Sequence, residues 1–297
     1  MSRGLKLQTN AKTNLLLRVL GRRPDGYHEL ETIFHTLNLA DTVSIAPTTG
    51  DEVEVVMHAE RAIEGLPLAA DNLVSAAARE LIEAGAQSHG ARIEIVKRIP
   101  VGAGLGGGSG NAAGVLVALN EMWGLGLDSE SLAVLALAIG ADVPYCLTGG
   151  TALAGGRGER TTALEAPATL WFVLGLSNEP LMTRDVYEEF DLSRDSAGVQ
   201  SAPMCRALGG GDVAAIAALM HNDLEPPAFR LRPDLLRLKT AMLDAGALGA
   251  VISGSGPTML GLARDRDHAI AISGAAEPSF DRIEVVSSRP VCIERLN

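Results

Sequence analysis

The chain has 297 residues, of which 47% are hydrophobic, so it can form one large domain or two medium-sized ones. Its formal net charge of −11 argues against a non-specific nucleic-acid partner. The three cysteines lie far apart, which favours reduced thiols, and no apolar run reaches the roughly 18 residues of a membrane span. A soluble, cytoplasmic protein with no membrane and no nucleic-acid partner is therefore predicted.

The N-terminal part of the chain is predicted to consist mainly of strands. Alternating apolar and polar residues indicate them, and a Pro-Asp-Gly turn within residues 21–26 separates the first two. The predicted elements are strands at 5–20 (interrupted at 10–14), 27–39, 42–46 and 52–58, and a helix from Asp71 and Asn72 to about Ala84.

A glycine-rich stretch lies between a strand predicted for residues 91–97 and an apolar helix predicted for residues 112–123. Six of the eleven residues from Pro100 to Gly110 are glycine. Glycine permits positive φ, so successive N–H groups can converge on an anion. The N-terminus of the following helix adds unpaired N–H groups and the positive end of the helix dipole. This stretch therefore predicts a phosphate site, with a flexible surface loop as the alternative.

Two common nucleotide-binding motifs do not account for this stretch. A Walker loop ends in Gly-Lys-Ser or Gly-Lys-Thr, and no lysine follows here. Gly102, Gly104 and Gly107 satisfy G-x-G-x-x-G, but the acidic residue about 20 positions further on is Asp128. Asp128 is expected to cap a helix and not to end a second parallel strand. The loop is therefore predicted to bind phosphate in another way.

The rest of the chain mixes helices with meandering strands, which predicts an α+β fold in both halves. A tight turn is expected at residues 140–144. Helices are predicted at 129–139, 183–190, 212–221 and 233–245 and from about Asp265, and strands at 150–154, 160–164, 169–176, 248–253, 258–263, 282–286 and 291–294. A boundary near Ala166 and Pro167 divides the chain into predicted domains 1–165 and 166–297.

The residue types favour phosphoryl transfer over other chemistries. The six histidines form no zinc-binding motif, and no G-x-S-x-G nucleophile motif occurs. Phosphoryl transfer needs a cation near the transferred group and a carboxylate near the acceptor hydroxyl. Lys12 and Asp142 are candidates because each lies in an irregular position between apolar segments. Taken alone, a surface lysine and a helix cap are the commoner roles, and nothing in the sequence brings the two together.

The glycine-rich stretch resembles the motif of the GHMP kinases, the superfamily of galactokinase, homoserine kinase and mevalonate kinase. Within it, the chain is similar over most of its length to the kinases that act on a diphosphocytidyl sugar alcohol. The run Asp25-Gly26-Tyr27-His28 is much more specific to that branch than the glycine motif is. The matching segments are residues 11–15, 22–30, 71–73, 100–113, 140–144, 222–225 and 253–258.

The resemblance implies ATP-dependent phosphorylation of the 2-hydroxyl of 4-diphosphocytidyl-2-C-methyl-D-erythritol in the non-mevalonate isoprenoid pathway, with Mg²⁺ as a cofactor. It also implies an N-terminal domain like ribosomal protein S5 domain 2, a ferredoxin-like C-terminal domain and a site between them. By position, it implies that Asp142 is the catalytic carboxylate and Lys12 the cation beside it. Tyr27 and Tyr187 are expected to sandwich cytosine, with His28 at its polar edge. The implied ATP contacts are Asn72, Lys97, Pro100, Val101, Gly102, Ala103, Gly104, Leu105, Gly106, Gly107, Gly108, Ser109 and Gly110, and the implied substrate contacts are Asn14, Tyr27, His28, Thr183 and Tyr187.

The sequence departs from the family pattern at two positions. The family's loop usually ends in Gly-Ser-Ser-Asn, whereas Gly110 takes the place of the second serine here. Asn10 replaces the usual proline before Ala11 and Lys12. Two other functions stay open: a GHMP kinase for homoserine or mevalonate, and a non-catalytic nucleotide- or RNA-binding module. The Tyr27-His28 pair argues against the first, and the net negative charge argues against the second.

Overall fold

The computed structural model describes residues 4–59, 72–85, 89–166, 169–193 and 198–296, which form two β-sheets and their covering helices. This mixture confirms the predicted α+β class. The strands are β1 (Leu5–Arg22), β2 (His28–Thr48), β3 (Val53–Ala59), β4 (Gly90–Lys97), β5 (Thr151–Gly156), β6 (Arg160–Ala163), β7 (Trp171–Leu176), β8 (His221–Asn222), β9 (Gly249–Ile252), β10 (Met259–Ala263), β11 (Arg282–Ser287) and β12 (Ile293–Leu296). The helices are α1 (Leu73–Glu83), α2 (Gly107–Trp123), α3 (Ser129–Ile139), α4 (Val143–Thr148), α5 (Thr183–Ser193), α6 (Ser201–Gly210), α7 (Val213–Leu219), α8 (Glu225–Leu231), α9 (Asp234–Asp244) and α10 (Arg266–Ala276).

The first sheet is organised around the long antiparallel pair β1 and β2. Its strand order is β12-β1-β2-β4-β3, with β5 also paired to β2, β6 to β5 and β8 to β1. The predicted interruption at residues 10–14 is wrong, because β1 continues through them. Its register against β2 shifts instead between Asn10 and Lys12 and again between Asn14 and Leu16. Such irregularities re-aim side chains, and these two fall on either side of Lys12 and Asn14.

Helices α1 to α4 pack with the first sheet around one apolar core. Most residues of α2 are buried, as expected for a helix that is apolar all round. Leu116 and Leu119 of α2 share this core with Ile93 and Ile95 of β4. The helix begins at Gly107, earlier than predicted, and a Cβ atom at this position would lie 2.8 Å from Cγ2 of Ile99. Glycine therefore lets the helix start inside the glycine-rich stretch.

The second sheet has the strand order β11-β7-β10-β9 and is antiparallel throughout. Val173 of β7 belongs to the core formed with α9 and α10. Its neighbours Phe172 and Leu174 belong to another core, which also contains Leu15 of β1 and Ile33 of β2. Because successive side chains of β7 point to opposite faces, one face of the second sheet packs against helices and the other packs against the first sheet.

Three features of the chain differ from the sequence prediction or extend beyond it. Helices α4, α6 and α8 were not predicted, and β2 is a single strand where two were expected. Strands β8 and β12 pair with β1 in the first sheet although both follow residue 165, and the division at 165/166 stays a prediction.

Asp71 and Pro167 lie outside the described residues. No helix in the described ranges is long and apolar enough to cross a membrane.

Candidate active site

A cleft of about 1010 Å³ brings together distant parts of the chain. Its walls come from β1, β2, the start of α1, the segment between β4 and α2, the start of α4, α5 and the loop between β9 and β10. Each predicted site residue except Gly110 lines it. The sequence could not show this convergence because β1 and α5 are separated by more than half of the chain.

The glycine-rich stretch forms a backbone cradle at one end of the cleft. Gly102, Gly104 and Gly106 have φ values of 67°, 75° and 65°. Gly106 is also the N-cap residue of α2, which continues for 17 residues. Alternating left-handed positions turn successive N–H groups to one side, and the first N–H groups of α2 have no intrahelical partners. The arrangement favours an anion at this position.

The glycine cradle is held by direct contact with the loop that follows β9. The Ser253 hydroxyl donates to the Gly104 carbonyl oxygen over 2.9 Å, and the Thr13 hydroxyl donates to Ser253 Oγ over 3.0 Å. A Cβ atom at position 104 would overlap the carbonyl oxygen of Ser253. At Gly106, a Cβ atom would lie 2.6 Å from Cγ of Lys12. The cradle therefore needs glycine at these two positions for close approach as well as for φ.

Lys12 and Asp142, which sequence reasoning could not bring together, form an ion pair in the cleft. Nζ of Lys12 lies 2.9 Å from Oδ2 of Asp142 and 3.1 Å from Oδ1 of Asn14. Asn14 in turn donates to Oγ1 of Thr32 over 2.7 Å. The Lys12 side chain is 6% exposed and the Asp142 side chain 32% exposed. The carboxylate is thus the accessible member of a pair whose cation is buried.

Asp142 does not have the capping role that residue type alone favours. It occupies the N-cap position of α4, where a tight turn was predicted, but its side chain makes no capping hydrogen bond. Pro144 in the first turn of this short helix has no N–H, so the end needs less capping. The carboxylate faces Lys12 instead, which leaves it available to a ligand.

Lys97 is paired with an aspartate that sequence reasoning missed. Its Nζ contacts Oδ2 of Asp41, and both side chains are buried. The other oxygen of Asp41 accepts hydrogen bonds from the N–H groups of Arg98 and Ile99, at 2.7 and 2.9 Å. Asp41 thus holds the chain where it leaves β4 for the glycine cradle. A carboxylate within the apolar strand pattern of β2 was the available signal.

Asn72 presents an unsatisfied donor at the edge of the cradle. Its Oδ1 accepts from the Ser75 N–H over 2.9 Å and caps α1. Its Nδ2 is buried and has no hydrogen-bond partner in the part of the chain that the structure describes. Because an unpaired buried donor is costly, this amide suits a ligand that supplies an acceptor.

The opposite end of the cleft is built from aromatic and charged side chains. The rings of His28 and Tyr187 are stacked with centroids 4.7 Å apart, and Arg157 lies over Tyr27 at 4.4 Å. Tyr27 is 56% exposed. Burial raises the pKa of the Tyr187 phenol above its ordinary value, so the phenol stays neutral. Nε2 of His28 lies 2.8 Å from Oδ1 of Asp191, a residue that sequence reasoning did not single out.

Thr183 connects α5 to the loop between β9 and β10. Its hydroxyl lies 2.8 Å from Oγ of Ser255. Since Ser255 and Gly254 both line the cleft, Thr183 ties the aromatic end to the loop that also supports the glycine cradle.

Gly110 requires a correction to the expected ATP contacts. It is buried in the first turns of α2 and does not line the cleft. A Cβ atom there would lie 3.3 Å from the carbonyl oxygen of Asn10 and 3.7 Å from Cβ of Thr9. A side chain at this position would therefore face β1 and not a nucleotide.

Comparison with known proteins identifies the family. The GHMP kinases N terminal domain profile matches residues 72–150, and the GHMP kinases C terminal profile matches residues 204–280. A Pelotomaculum thermopropionicum protein named 4-diphosphocytidyl-2-C-methyl-D-erythritol kinase is 42% identical over 93% of this chain and 94% of its own. The chain belongs to the 4-diphosphocytidyl-2-C-methyl-D-erythritol kinases of the GHMP kinase family.

Solved structures agree with this assignment. A crystal structure of 4-(cytidine 5'-diphospho)-2C-methyl-D-erythritol kinase matches with a TM-score of 0.80 and 36% identity, covering 95% of this chain and 98% of that one. Homoserine kinase from Cytophaga hutchinsonii matches with a TM-score of 0.79 at 23% identity, covering 100% and 98% of the two chains, which shows a shared fold. The predicted GHMP kinase fold and the predicted ATP-dependent kinase class are confirmed.

Proposed function

We propose that this kinase transfers the γ-phosphoryl group of ATP to the 2-hydroxyl of 4-diphosphocytidyl-2-C-methyl-D-erythritol. The observation that carries the proposal is the Lys12–Asp142 pair, which lies in one cleft with a glycine cradle and an aromatic cluster. Family membership supports the same reaction. The cradle supplies a place for phosphates, the pair a place for the acceptor hydroxyl, and the aromatic cluster a place for a base.

The ATP phosphates are proposed to bind the cradle from Pro100 to Ser109. Left-handed glycines and the N-terminus of α2 supply N–H donors there. Asn72 offers its free amide donor at the cradle's edge. Lys97 is proposed to act with Asp41 in holding the cradle, because that carboxylate already neutralises its ammonium group.

Asp142 is proposed to orient the acceptor hydroxyl and to take its proton. The hydroxyl oxygen then forms a bond to the γ-phosphorus as the bond from that phosphorus to the bridging oxygen of ADP breaks. Lys12 pairs with the Asp142 carboxylate and places a positive charge beside the transferred group. Asn14 fixes the Lys12 ammonium through its hydrogen bond.

The donor set in the cleft fits Mg²⁺ bound together with ATP. The described residues contain no group of three or more His, Cys, Asp or Glu side chains that could hold a metal alone. Mg²⁺ commonly uses one or two carboxylates and takes its other ligands from phosphates and water. Asp142 and Ser109 both line the cleft and offer oxygen ligands. When bound, Mg²⁺ neutralises charge on the transferred phosphoryl group.

The acceptor's cytosine is proposed to lie at the aromatic end, between Tyr27 and Tyr187 and beside His28. Thr183 and Asn14 complete this substrate pocket. We also propose that domains 1–165 and 166–297 form the two walls of the cleft. A cytoplasmic location without a nucleic-acid partner is likewise proposed, and the net charge of −11 supports it.

Phosphoryl transfer with a panel of acceptors tests the proposal. Purified protein, ATP and Mg²⁺ are combined with the diphosphocytidyl acceptor, homoserine or mevalonate, or no acceptor, and ADP release and phosphorylated product are measured. We expect turnover that depends on the diphosphocytidyl acceptor. A preference for homoserine or mevalonate would assign a different GHMP kinase activity, and nucleotide binding without acceptor-dependent turnover would indicate a binding module.

A further inference from the structure

We infer that Asp191 is a positioning residue that fixes the tautomer of His28 and thereby sets the preference for cytosine. This inference rests on the proposed function, because it takes the base of the acceptor to lie beside His28. The observation that carries it is a chain of polar contacts at the aromatic end of the cleft, from Arg22 through Asp191 to His28.

Both oxygens of Asp191 are engaged in this chain. Oδ1 lies 2.8 Å from Nε2 of His28, and Oδ2 lies 3.4 Å from Nη1 of Arg22. The Asp191 side chain is 29% exposed and the His28 side chain 10% exposed. All three residues line the cleft. Arg22 thus pairs with the carboxylate oxygen that does not contact His28.

The carboxylate decides which ring nitrogen of His28 carries the proton. An ionised carboxylate can only accept hydrogen bonds, so Nε2 must be the N–H donor. Among the described residues, Nδ1 of His28 has no hydrogen-bond partner. In the neutral ring it is therefore a free acceptor. Stacking on Tyr187 and an edge contact with Phe190, with centroids 6.3 Å apart, fix the plane of the ring.

A free acceptor at this position distinguishes the two common pyrimidines. Cytosine carries an amino group at C4, which can donate to Nδ1, whereas uracil carries a carbonyl oxygen there, which faces Nδ1 as a second acceptor. Stacking on Tyr27 or Tyr187 does not discriminate between bases. The opposite tautomer of His28 would reverse the preference. Asp191 is therefore the residue that makes an aromatic pocket selective.

Replacement of Asp191 by asparagine tests this role because an amide can either donate or accept. The kcat and KM values are measured for the diphosphocytidyl acceptor and its uracil counterpart. In Asp191→Asn we expect the cytosine-to-uracil ratio of kcat/KM to fall by roughly tenfold or more, through the acceptor KM. The KM for ATP is expected to stay unchanged.

Glu188→Gln is the matched control. It removes the same charge from the same helix, but Glu188 pairs with the exposed Arg184 at 2.7 Å and not with His28. The cytosine-to-uracil ratio of kcat/KM is expected to stay at the wild-type value in this variant. An equal loss of selectivity in both variants would mean a general charge effect and would overturn the role of Asp191.

The tautomer is measured directly by the side-chain ¹⁵N chemical shifts of the free protein, with the His28 signals assigned through His28→Gln. We expect the Nε2–H form in the wild type and a mixture in Asp191→Asn. A wild-type Nδ1–H form, or a full cytosine preference in folded Asp191→Asn, would overturn the inference alone. A wild-type protein that does not phosphorylate the diphosphocytidyl acceptor would instead overturn the proposed function.

Discussion

The two ends of the cleft are built by different means. At the phosphate end, backbone groups of the glycine cradle are locked by close packing against Ser253 and Lys12. At the base end, side chains from β1, β2 and α5 contact one another, and Tyr27 is more than half exposed. The phosphate end therefore has little room for substitution, whereas the base end can change its partners by changing side chains.

This difference fits what each end must recognise. Phosphate is the same group in every nucleotide, and backbone N–H groups bind it without regard to the rest of the ligand. An acceptor differs from kinase to kinase, and its recognition needs specific side chains. Homoserine kinase shares the fold at 23% identity, so one architecture supports different acceptors. Substitutions at the phosphate end are therefore expected to change the KM for ATP, and substitutions at the base end the KM for the acceptor.

The largest effect is expected where the two ends meet, at Asp142. Asp142→Asn keeps the size of the side chain but removes its charge and its basicity. A general base contributes about 10²- to 10⁴-fold, so kcat is expected to fall by at least roughly 10²-fold while KM for ATP changes little. Steady-state kinetics with both substrates measure this. A near-normal kcat in a folded variant would eliminate the proposed role of Asp142.

The next largest effect is expected within the glycine cradle, where Gly104 and Gly102 form a matched pair. Both have positive φ, but a Cβ atom at Gly104 would overlap Ser253, whereas at Gly102 nothing lies within 4 Å. Gly104→Ala is expected to raise KM for ATP by roughly 10²-fold and to lower the melting temperature. Gly102→Ala meets only the left-handed strain of about 1–2 kcal/mol.

The comparison of these two variants separates backbone strain from contact with the Ser253 loop. A larger rise of KM for ATP in Gly104→Ala would show that docking on that loop shapes the phosphate end. Equal effects would mean that conformational freedom alone explains the glycines, and the contrast between a locked and an adaptable end would lose its support.

The two ends also differ in how well the sequence predicted them. The glycine cradle was predicted from composition because one continuous segment forms it, and its glycines have a local physical reason. The Lys12–Asp142 pair was suggested by resemblance to the GHMP kinases, since 130 residues separate its members in the sequence and only the folded chain brings them within 2.9 Å. Asp41 and Asp191 were missed because their roles depend on partners that lie far away in the sequence.

Elements were predicted correctly where their signals are local. The helix at residues 129–139 was predicted with the observed bounds because Asp128 caps it and Gly140 follows it. The predicted break in β1 was wrong because pairing with β2 overrides the weak local signal of residues 10–14. Helices α6 and α8 contain Pro203 and Pro226 near their N-termini. Proline in a sequence usually indicates a turn, so these helices were missed, although proline is tolerated in the first turn of a helix.

A smaller effect is expected at the base end, at Tyr187. Its ring stacks on His28, and ring–base stacking contributes about 1–3 kcal/mol per base. Tyr187→Ala is expected to raise KM for the acceptor by roughly tenfold to a hundredfold and to spare KM for ATP. Tyr187→Phe keeps the ring and is expected to stay near the wild type. A rise of KM for ATP in Tyr187→Ala would place the ring at the phosphate end and would contradict the division of the cleft into a phosphate end and a base end.

The smallest effect is expected at Gly110, which belongs to the glycine-rich segment but not to the surface of the cleft. Gly110→Ser adds the hydroxyl that the family's loop usually carries, but the new side chain would face the carbonyl oxygen of Asn10 at the back of α2. That oxygen already accepts from the Cys292 thiol over 3.0 Å. The serine is therefore expected to leave the Kd for an ATP analogue unchanged and to alter the unfolding free energy by no more than about 1 kcal/mol. Isothermal titration with an ATP analogue and thermal unfolding measure the two quantities. A clearly tighter nucleotide complex would mean that the phosphate end extends through the first turns of α2, so that its boundary would include Gly110.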